Sequence, residues 1–144
     1  MPQSFEFCTV MKTFNTNIFP KGEKAPSEYF FGGSAWVHLL KPNGDELNCQ
    51  IGNVTFEPGC RNNWHSHEGG QILIITSGKG FYQEKGKPAQ ALSPGDIVTI
   101  LPHVIHWHGA APDSELTHIA INPNTQNGIV EWLDPVTDEE YQNG

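Results

Sequence analysis

Two histidines and a glutamine lie close together near the middle of the chain. His65 and His67 are two residues apart, and Gln71 follows them after the bend that Gly69 and Gly70 predict. Residues i and i+2 of a β-strand point to the same side, so both histidines can reach one metal ion. His106, further along the chain, is the candidate for a fourth ligand. The spacing therefore predicts a metal site laid out across two strands of a barrel.

The predicted donors are three neutral imidazoles and one carboxamide oxygen. Such donors suit divalent Mn, Fe, Ni or Zn, and no thiolate lies within the motif to favour a softer ion. Glutamine leaves the ion its full double charge, which polarises a bound oxygen more strongly than a site with a carboxylate would. His108 lies two residues after His106, and His118 lies in a predicted strand, so both can face the same interior. They are candidate catalytic groups, one as a proton acceptor and one as a cation for a leaving anion.

The elements that must position these side chains are predicted to be short β-strands. The 144 residues include 15 Gly and 11 Pro, and no apolar-periodic segment is long enough for a major helix. Eight or more strands at regular spacing, from 35–40 to 116–122, indicate an all-β jelly-roll barrel. The segment 77–80 predicts a hairpin turn, and the capping-box pattern at 137–140 predicts one short C-terminal helix.

The length predicts one domain with two appendages. We expect an N-terminal arm over residues 1–33, which packs on the barrel or on a partner subunit, and a β-barrel over residues 34–133. A tail over residues 134–144 carries the short helix. The aromatic cluster at 29–31 suits such packing on a second subunit, so we expect a homodimer or higher homo-oligomer.

Charge and cysteine content limit the function classes. The formal net charge is −8, and Arg61 is the only arginine, so neither nucleic acid nor an anionic membrane is expected as a partner. A small-molecule substrate is expected instead. Cys8, Cys49 and Cys60 are odd in number and form no CxxC pair, which indicates reduced thiols in the cytoplasm. The first ten residues lack the basic and apolar regions of a secretion signal.

Two segments resemble the two sequence motifs of the cupins, and the resemblance covers residues 50–122. The first motif is matched by Gly59, His65, His67, Gln71 and Gly78, with glutamine where that motif usually has glutamate. The second is matched by Gly95, Asp96, Pro102 and His106, whereas Leu101 and His103 replace the usual proline and glycine. The resemblance implies a cupin jelly-roll barrel in which His106 is the fourth metal ligand.

A longer set of segments resembles bacterial manganese-dependent hydroxynitrile lyases and related small cupins grouped with carboxymuconolactone decarboxylases. The matching segments are 54–59, 64–71, 106–112, 117–121 and 136–141. The resemblance implies that one manganese ion is held by His65, His67, Gln71 and His106. It also implies that His108 and His118 are the active-site histidines that do not bind the metal.

The sequence favours a metal-dependent lyase of the hydroxynitrile lyase type that acts on a small oxygenated molecule. Two alternatives stay open: an iron-dependent dioxygenase built on the same histidines, and a non-catalytic cupin that binds a metabolite or sugar. The substrate would be selected by the pocket wall. The candidate wall residues are Gly52, Val54, Phe81 and Asn122. Trp64 and Trp107, beside the histidines, are interpreted as packing residues, with a place in the pocket wall as the alternative.

Overall fold

The computed structural model describes residues 18–143, which form two antiparallel β-sheets with a shared core. The strands of the first sheet, in spatial order, are β1 (Glu23–Lys24), β3 (Ala35–Lys41), β4 (Gln50–Phe56), β12 (Leu116–Asn122), β7 (Gln71–Gly78) and β10 (Ile97–Ile100). The second sheet contains β13 (Glu131–Trp132), β6 (His65–Ser66), β11 (His106–Ala110), β5 (Arg61–Asn62) and β2 (Phe30–Phe31), with β8 (Gly80–Glu84) beside β11 and β9 (Gln90–Leu92) beside β8. The predicted all-β jelly-roll architecture is confirmed.

Alternation along the strands builds the core from both sheets. Phe56 and Leu73 from the first sheet and Tyr82 and Leu92 from the second belong to one buried cluster. Successive side chains of a strand point to opposite faces, so only every second residue enters this cluster. Burying these apolar side chains is the main stabilising contribution, because each removes hydrocarbon surface from water.

The predicted hairpin turn at 77–80 is wrong, because the chain passes there from one sheet to the other. β7 pairs with β10 and β12, whereas β8 pairs with β9 and β11. Gly78 has φ +81°, and a Cβ at this position would collide with the carbonyl oxygen of Glu115. The glycine signal for a sharp turn is therefore correct, but a local turn signal does not say which sheet receives the next strand.

The predicted C-terminal helix is present as α1 (Asp138–Asn143), and its capping box forms as the sequence indicates. The backbone N–H of Thr137 donates to Oε1 of Glu140 (3.0 Å), and the N–H of Glu140 donates to Oγ1 of Thr137 (3.1 Å). These two bonds satisfy donors that a helix start otherwise leaves open. Within the described residues, no helix is long and apolar enough to cross a membrane.

Part of the predicted arm joins the sheets. β1 pairs with β3, and β2 pairs with β5. Residues 1–17 of the predicted arm, including Cys8, lie outside the described residues, whereas Cys49 and Cys60 are free thiols. The boundaries of arm, barrel and tail at residues 33 and 133 stay predictions.

Candidate metal centre

Strand pairing between β6 and β11 brings the first two predicted ligands together. His65 and His106 are directly opposite in the register, and their ring centroids are 4.1 Å apart. His67 lies just beyond the end of β6, and its ring centroid is 5.0 Å from that of His65 and 5.5 Å from that of His106. The three imidazoles therefore form one cluster, although His67 reaches it from a turn and not from the predicted strand.

Backbone carbonyls fix the orientation of all three rings. In each ring Nδ1 lies within hydrogen-bond distance of a carbonyl oxygen, and because a carbonyl only accepts, Nδ1 must carry the proton. The pairs are His65 with Asn63 (2.8 Å), His67 with Ile129 (2.7 Å) and His106 with Val104 (2.9 Å). In a neutral ring Nε2 then keeps a lone pair, which is the arrangement that a metal-binding histidine requires.

Several buried polar atoms of this cluster have no hydrogen-bond partner among the described residues. They include Nε2 of His67, Nε2 of His106 and Oε1 of Gln71. Buried polar atoms are rarely left unsatisfied without a functional reason. The amide Nε2 of Gln71 donates to Oδ1 of Asn122 (2.9 Å), so the oxygen is the end that remains open. Three imidazole lone pairs and one amide oxygen are donors that fit a divalent transition metal.

A second grouping has to be weighed against this one. The ring nitrogens of His65, His106 and His108 also lie within 4.8 Å of one another. However, Nε2 of His108 is 3.2 Å from Nδ2 of Asn62, whose Oδ1 accepts the backbone N–H of His108 (2.9 Å). That bond makes Nδ2 the end of the amide that faces the ring, so we assign the acceptor of its hydrogen bond to Nε2 of His108, the nearer ring nitrogen (3.2 Å, against 3.5 Å for Nδ1). Nε2 of His67 and Oε1 of Gln71, in contrast, have no partner among the described residues, so these two side chains are better candidate ligands than His108.

His108 and His118 form a pair beside the ligand cluster. Their ring centroids are 4.9 Å apart, and the ring of His118 stacks on Phe56 at 5.7 Å. Neither nitrogen of His118 has a partner within residues 18–143. Burial lowers the pKa of His118 to about 4 and the pKa of His108 well below its ordinary value. Both rings are therefore neutral at neutral pH, and His118 can accept a proton.

Burial acts on the ligand candidates in the same direction. It lowers the pKa of His106 to about 4, and it also lowers the pKa values of His65 and His67. A histidine binds a metal only when its nitrogen is not protonated. The low pKa values therefore keep the cluster in the form that can bind a cation throughout the physiological pH range.

The histidines open onto a cavity of about 220 Å³. One end of it is polar and the rest is apolar, and none of the described residues that line it is Asp, Glu, Lys or Arg. The polar end is lined by Gln50, Asn62, His65, His67, Gln71, His108, His118 and Asn122, and the apolar wall includes Phe30, Val37, Leu39, Val54, Phe56, Ala120, Ile129, Val130 and Trp132. His106 is fully buried beside His65 and is not among the lining residues.

The structure corrects part of the predicted wall. Gly52, Val54 and Asn122 line the cavity, but Phe81, Trp64 and Trp107 do not. These three aromatic residues pack in or against a second buried cluster, which contains Val136. Phe81 precedes the inward-facing Tyr82, Trp64 precedes His65, and Trp107 lies between two inward-facing histidines. Because neighbours on a strand face opposite sides, each must point away from the cavity.

Three polar or aromatic residues at the site were missed by the sequence interpretation. Asn62 contacts His108, Gln50 contacts Asn122, and the ring of Trp132 lies 4.8 Å from that of His65. Asn62 and Gln50 are far in sequence from their partners, so no local spacing indicates them.

Known proteins confirm the fold and extend the comparison to function. Residues 52–122 match the family model described as the cupin domain. The chain is 40% identical over 119 residues to a protein of Granulicella tundricola named (R)-mandelonitrile lyase. The aligned region covers 83% of this chain and 90% of that protein. It is 28% identical over 80 residues to an acireductone dioxygenase of Bacillus pumilus, over 53% of this chain and 43% of that enzyme.

A solved structure is similar over almost the whole length. A cupin-like protein from Thermotoga maritima is 54% identical and superimposes with a TM-score of 0.85, covering 88% of this chain and 95% of that chain. On the barrel, the histidine cluster and these relatives together, the chain belongs to the cupin family.

Proposed function

We propose that the chain is a metal-dependent lyase of the hydroxynitrile lyase type, which cleaves a small cyanohydrin into a carbonyl compound and hydrogen cyanide. The observation that carries this proposal is a set of buried donor atoms without partners in residues 18–143, Nε2 of His67 and His106 and Oε1 of Gln71, beside two further neutral histidines. The relative named (R)-mandelonitrile lyase supports the reaction class, since it matches nearly full length.

The cavity favours an uncharged substrate with an apolar body. Without a charged residue in its described lining, the cavity offers a carboxylate or phosphate group no ionic partner. Its volume of about 220 Å³ is below the range of about 300–1,000 Å³ that is typical of sites for drug-sized ligands. A small aromatic cyanohydrin places its hydroxyl and nitrile groups at the histidine end and its ring against the apolar wall.

His65, His67, Gln71 and His106 would hold one divalent ion, and we propose manganese. When bound, the ion supplies a Lewis acid that polarises the substrate oxygen. His118 is neutral and has no partner in the part of the chain that the structure describes, so it can accept the hydroxyl proton while the carbon–carbon bond to the nitrile breaks and its electron pair leaves with cyanide. The N–H of His108 donates a hydrogen bond to the leaving cyanide. The cyanide then takes the proton that His118 accepted and leaves as hydrogen cyanide.

His108 is suited to this role by its partner. Because Nε2 of His108 accepts from the Asn62 amide, the proton of the neutral ring lies on Nδ1. Asn62 therefore fixes both the position of the ring and the nitrogen that can donate. Holding these groups before substrate arrives lowers the entropy that must be lost in the transition state.

We also propose that the protein is a cytoplasmic homo-oligomer. The free thiols of Cys49 and Cys60 suit a reducing compartment. Leu39, Ile97 and Leu101 are exposed apolar side chains that a second copy could cover. Light scattering of the purified protein measures the assembly, and a monomeric mass would contradict the oligomer.

The test of the proposed function begins with elemental analysis of the wild type and of His65→Ala and His106→Ala. We expect about one equivalent of manganese in the wild type and its loss in both variants. His103→Ala is the matched control, since His103 is an exposed histidine in a turn and should leave the metal content unchanged. Benzaldehyde release from mandelonitrile is then followed with and without the metal.

The same samples separate the two alternatives. Oxygen consumption without benzaldehyde release would favour the dioxygenase, for which the partial match to acireductone dioxygenase is the supporting observation. A wild type that binds no metal after reconstitution and releases no benzaldehyde would overturn the proposed enzyme and favour a binding cupin.

A further inference from the structure

We propose that Asn122 is a positioning residue that directs Oε1 of Gln71 toward the histidine cluster, with Gln50 fixing Asn122 in turn. This inference rests on the proposed metal-dependent function. It adds to that function two residues that do not touch the ion. It also explains how the amide of Gln71 can act as a ligand although its shape alone does not define whether oxygen or nitrogen faces the metal.

The three amides lie side by side because of the strand register. β4, β12 and β7 are neighbours in the first sheet. Asn122 is directly opposite Gln50, and the pairing of Ile121 with Ile72 places Asn122 beside Gln71 on the other side. The end of each strand thus contributes one amide to the same edge of the cavity.

The hydrogen bonds run in one direction through these amides. Nε2 of Gln71 donates to Oδ1 of Asn122 (2.9 Å), and Nδ2 of Asn122 donates to Oε1 of Gln50 (3.2 Å). Because each of these oxygens accepts, the end of the neighbouring amide that reaches it must be the NH₂ group. The last oxygen in the series, Oε1 of Gln71, is left buried and without a partner among the described residues.

The direction matters because a primary amide has two ends of nearly the same shape but opposite polarity. The oxygen can bind a cation, whereas the NH₂ group carries two protons and would repel it. A carboxylate at this position would have no such problem, since both of its ends accept. The glutamine therefore needs a neighbour that accepts its N–H, and Oδ1 of Asn122 is that acceptor.

A purely structural role for Asn122 predicts a different result. If the amide only ties β12 to β7, a change at Asn122 would alter the stability of the fold, and metal affinity would not depend on whether the new side chain can accept a hydrogen bond. If it positions Gln71, an acceptor must be kept. Asn122→Asp keeps the acceptor, and Asn122→Leu removes it while keeping the branching and the number of heavy atoms.

The experiment measures Mn²⁺ affinity of chelator-stripped protein by competition with a metal-binding dye, with no substrate present. We expect Asn122→Leu to weaken Mn²⁺ binding by about 10- to 100-fold, the usual loss when a partner of a ligand is removed. Asn122→Asp should bind at least as tightly as the wild type, because it accepts the Gln71 N–H and adds negative charge near the cation.

Asn53→Leu is the matched control. Asn53 is a buried amide on β4, but it faces away from the cavity and its Nδ2 donates to the carbonyl of Pro20 (3.4 Å). Its loss tests whether removing any buried amide weakens metal binding, and we expect unchanged affinity. Circular dichroism of each metal-free variant confirms that it is folded.

Two results would overturn the inference: wild-type affinity in Asn122→Leu, or an equal loss of affinity in Asn122→Asp. If Asn122→Leu does not fold, the Asn122→Asp result together with Gln50→Met decides, because Gln50→Met frees Asn122 to reverse and should also weaken binding. If the wild type itself binds no Mn²⁺, the proposed function fails, and that result is distinct from a failure of the positioning role.

Discussion

At the scale of single residues, the two histidines outside the ligand cluster differ in what holds them. His108 is anchored by Asn62, whereas neither nitrogen of His118 has a partner among the described residues. A buried imidazole without a partner costs free energy, so a group at this position is expected to meet a ligand there. This contrast is the physical basis for giving the proton transfer to His118.

We expect His118→Ala to lower the rate of benzaldehyde release from mandelonitrile by about 10²–10⁴-fold, the usual contribution of a general acid or base. Its metal content should equal that of the wild type, because the proposed ligands His65, His67, Gln71 and His106 are untouched. Elemental analysis and the kinetic assay are made on the same preparation. Loss of metal in His118→Ala would show that His118 is a ligand and that its proposed role is incorrect.

At the scale of elements, Arg61 joins the C-terminal tail to the strand that precedes the histidine motif. Its guanidinium is buried and donates twice to the carbonyl oxygen of Val136 (3.1 and 2.7 Å) and once to Asp138 (2.9 Å). It also lies over the rings of Phe31 (4.8 Å) and Tyr141 (4.5 Å). The only arginine of the chain is thus used to hold the fold, and the tail supports β5 and β6 from outside the cavity.

Arg61→Met should lower the free energy of unfolding by about 2–3 kcal/mol, because charged hydrogen bonds to a buried carbonyl are lost. Asp138→Asn is the control: Asp138 is exposed, so loss of its ion pair should cost less than about 1 kcal/mol. Denaturant unfolding of the metal-free proteins measures both changes. An equal loss in the two variants would show that the ion pair, and not the bonds to Val136, holds the tail.

At the scale of the whole molecule, five buried histidines share one interior, and burial lowers the pKa of every one: His65, His67, His106, His108 and His118. In the unfolded chain a histidine has its ordinary pKa, near 6.5. Below that pH the unfolded state binds more protons than the folded state, so the free energy of unfolding falls as the pH falls. The chemistry of the cavity therefore makes the whole fold sensitive to acid.

We expect the metal-free protein to lose stability steadily as the pH falls from 6.5 toward about 4, the folded pKa of His106 and His118. For His118 alone, the free energy of unfolding falls by roughly 3 kcal/mol once the pH is below the pKa of this residue in the folded state. Denaturant unfolding at a series of pH values measures it. His118→Leu, which removes one titrating ring, should show a shallower slope, and an unchanged slope would contradict this account.

Much of the site follows from the sequence because it depends on local spacing. The histidine pair at 65 and 67, the glutamine after the glycine bend, and the i, i+2 relation of His106 and His108 each place side chains relative to near neighbours. Strand alternation converts such spacings directly into facing. The all-β architecture and the short capped helix were predicted from such local patterns, the cupin family was implied by the resemblance of the two motifs, and all three are confirmed.

The tertiary structure alone decided what depends on strand pairing over long separations. It showed that segment 77–80 crosses between the sheets, that Trp132 is part of the cavity wall, and that Trp64 and Trp107 pack in a separate cluster. It also brought Gln50, Gln71 and Asn122 into one series of hydrogen bonds. The sequence determined which residues could share a face, because the period of a strand is local. Which strands lie beside each other is determined by packing of the complete chain, and no local spacing contains that information.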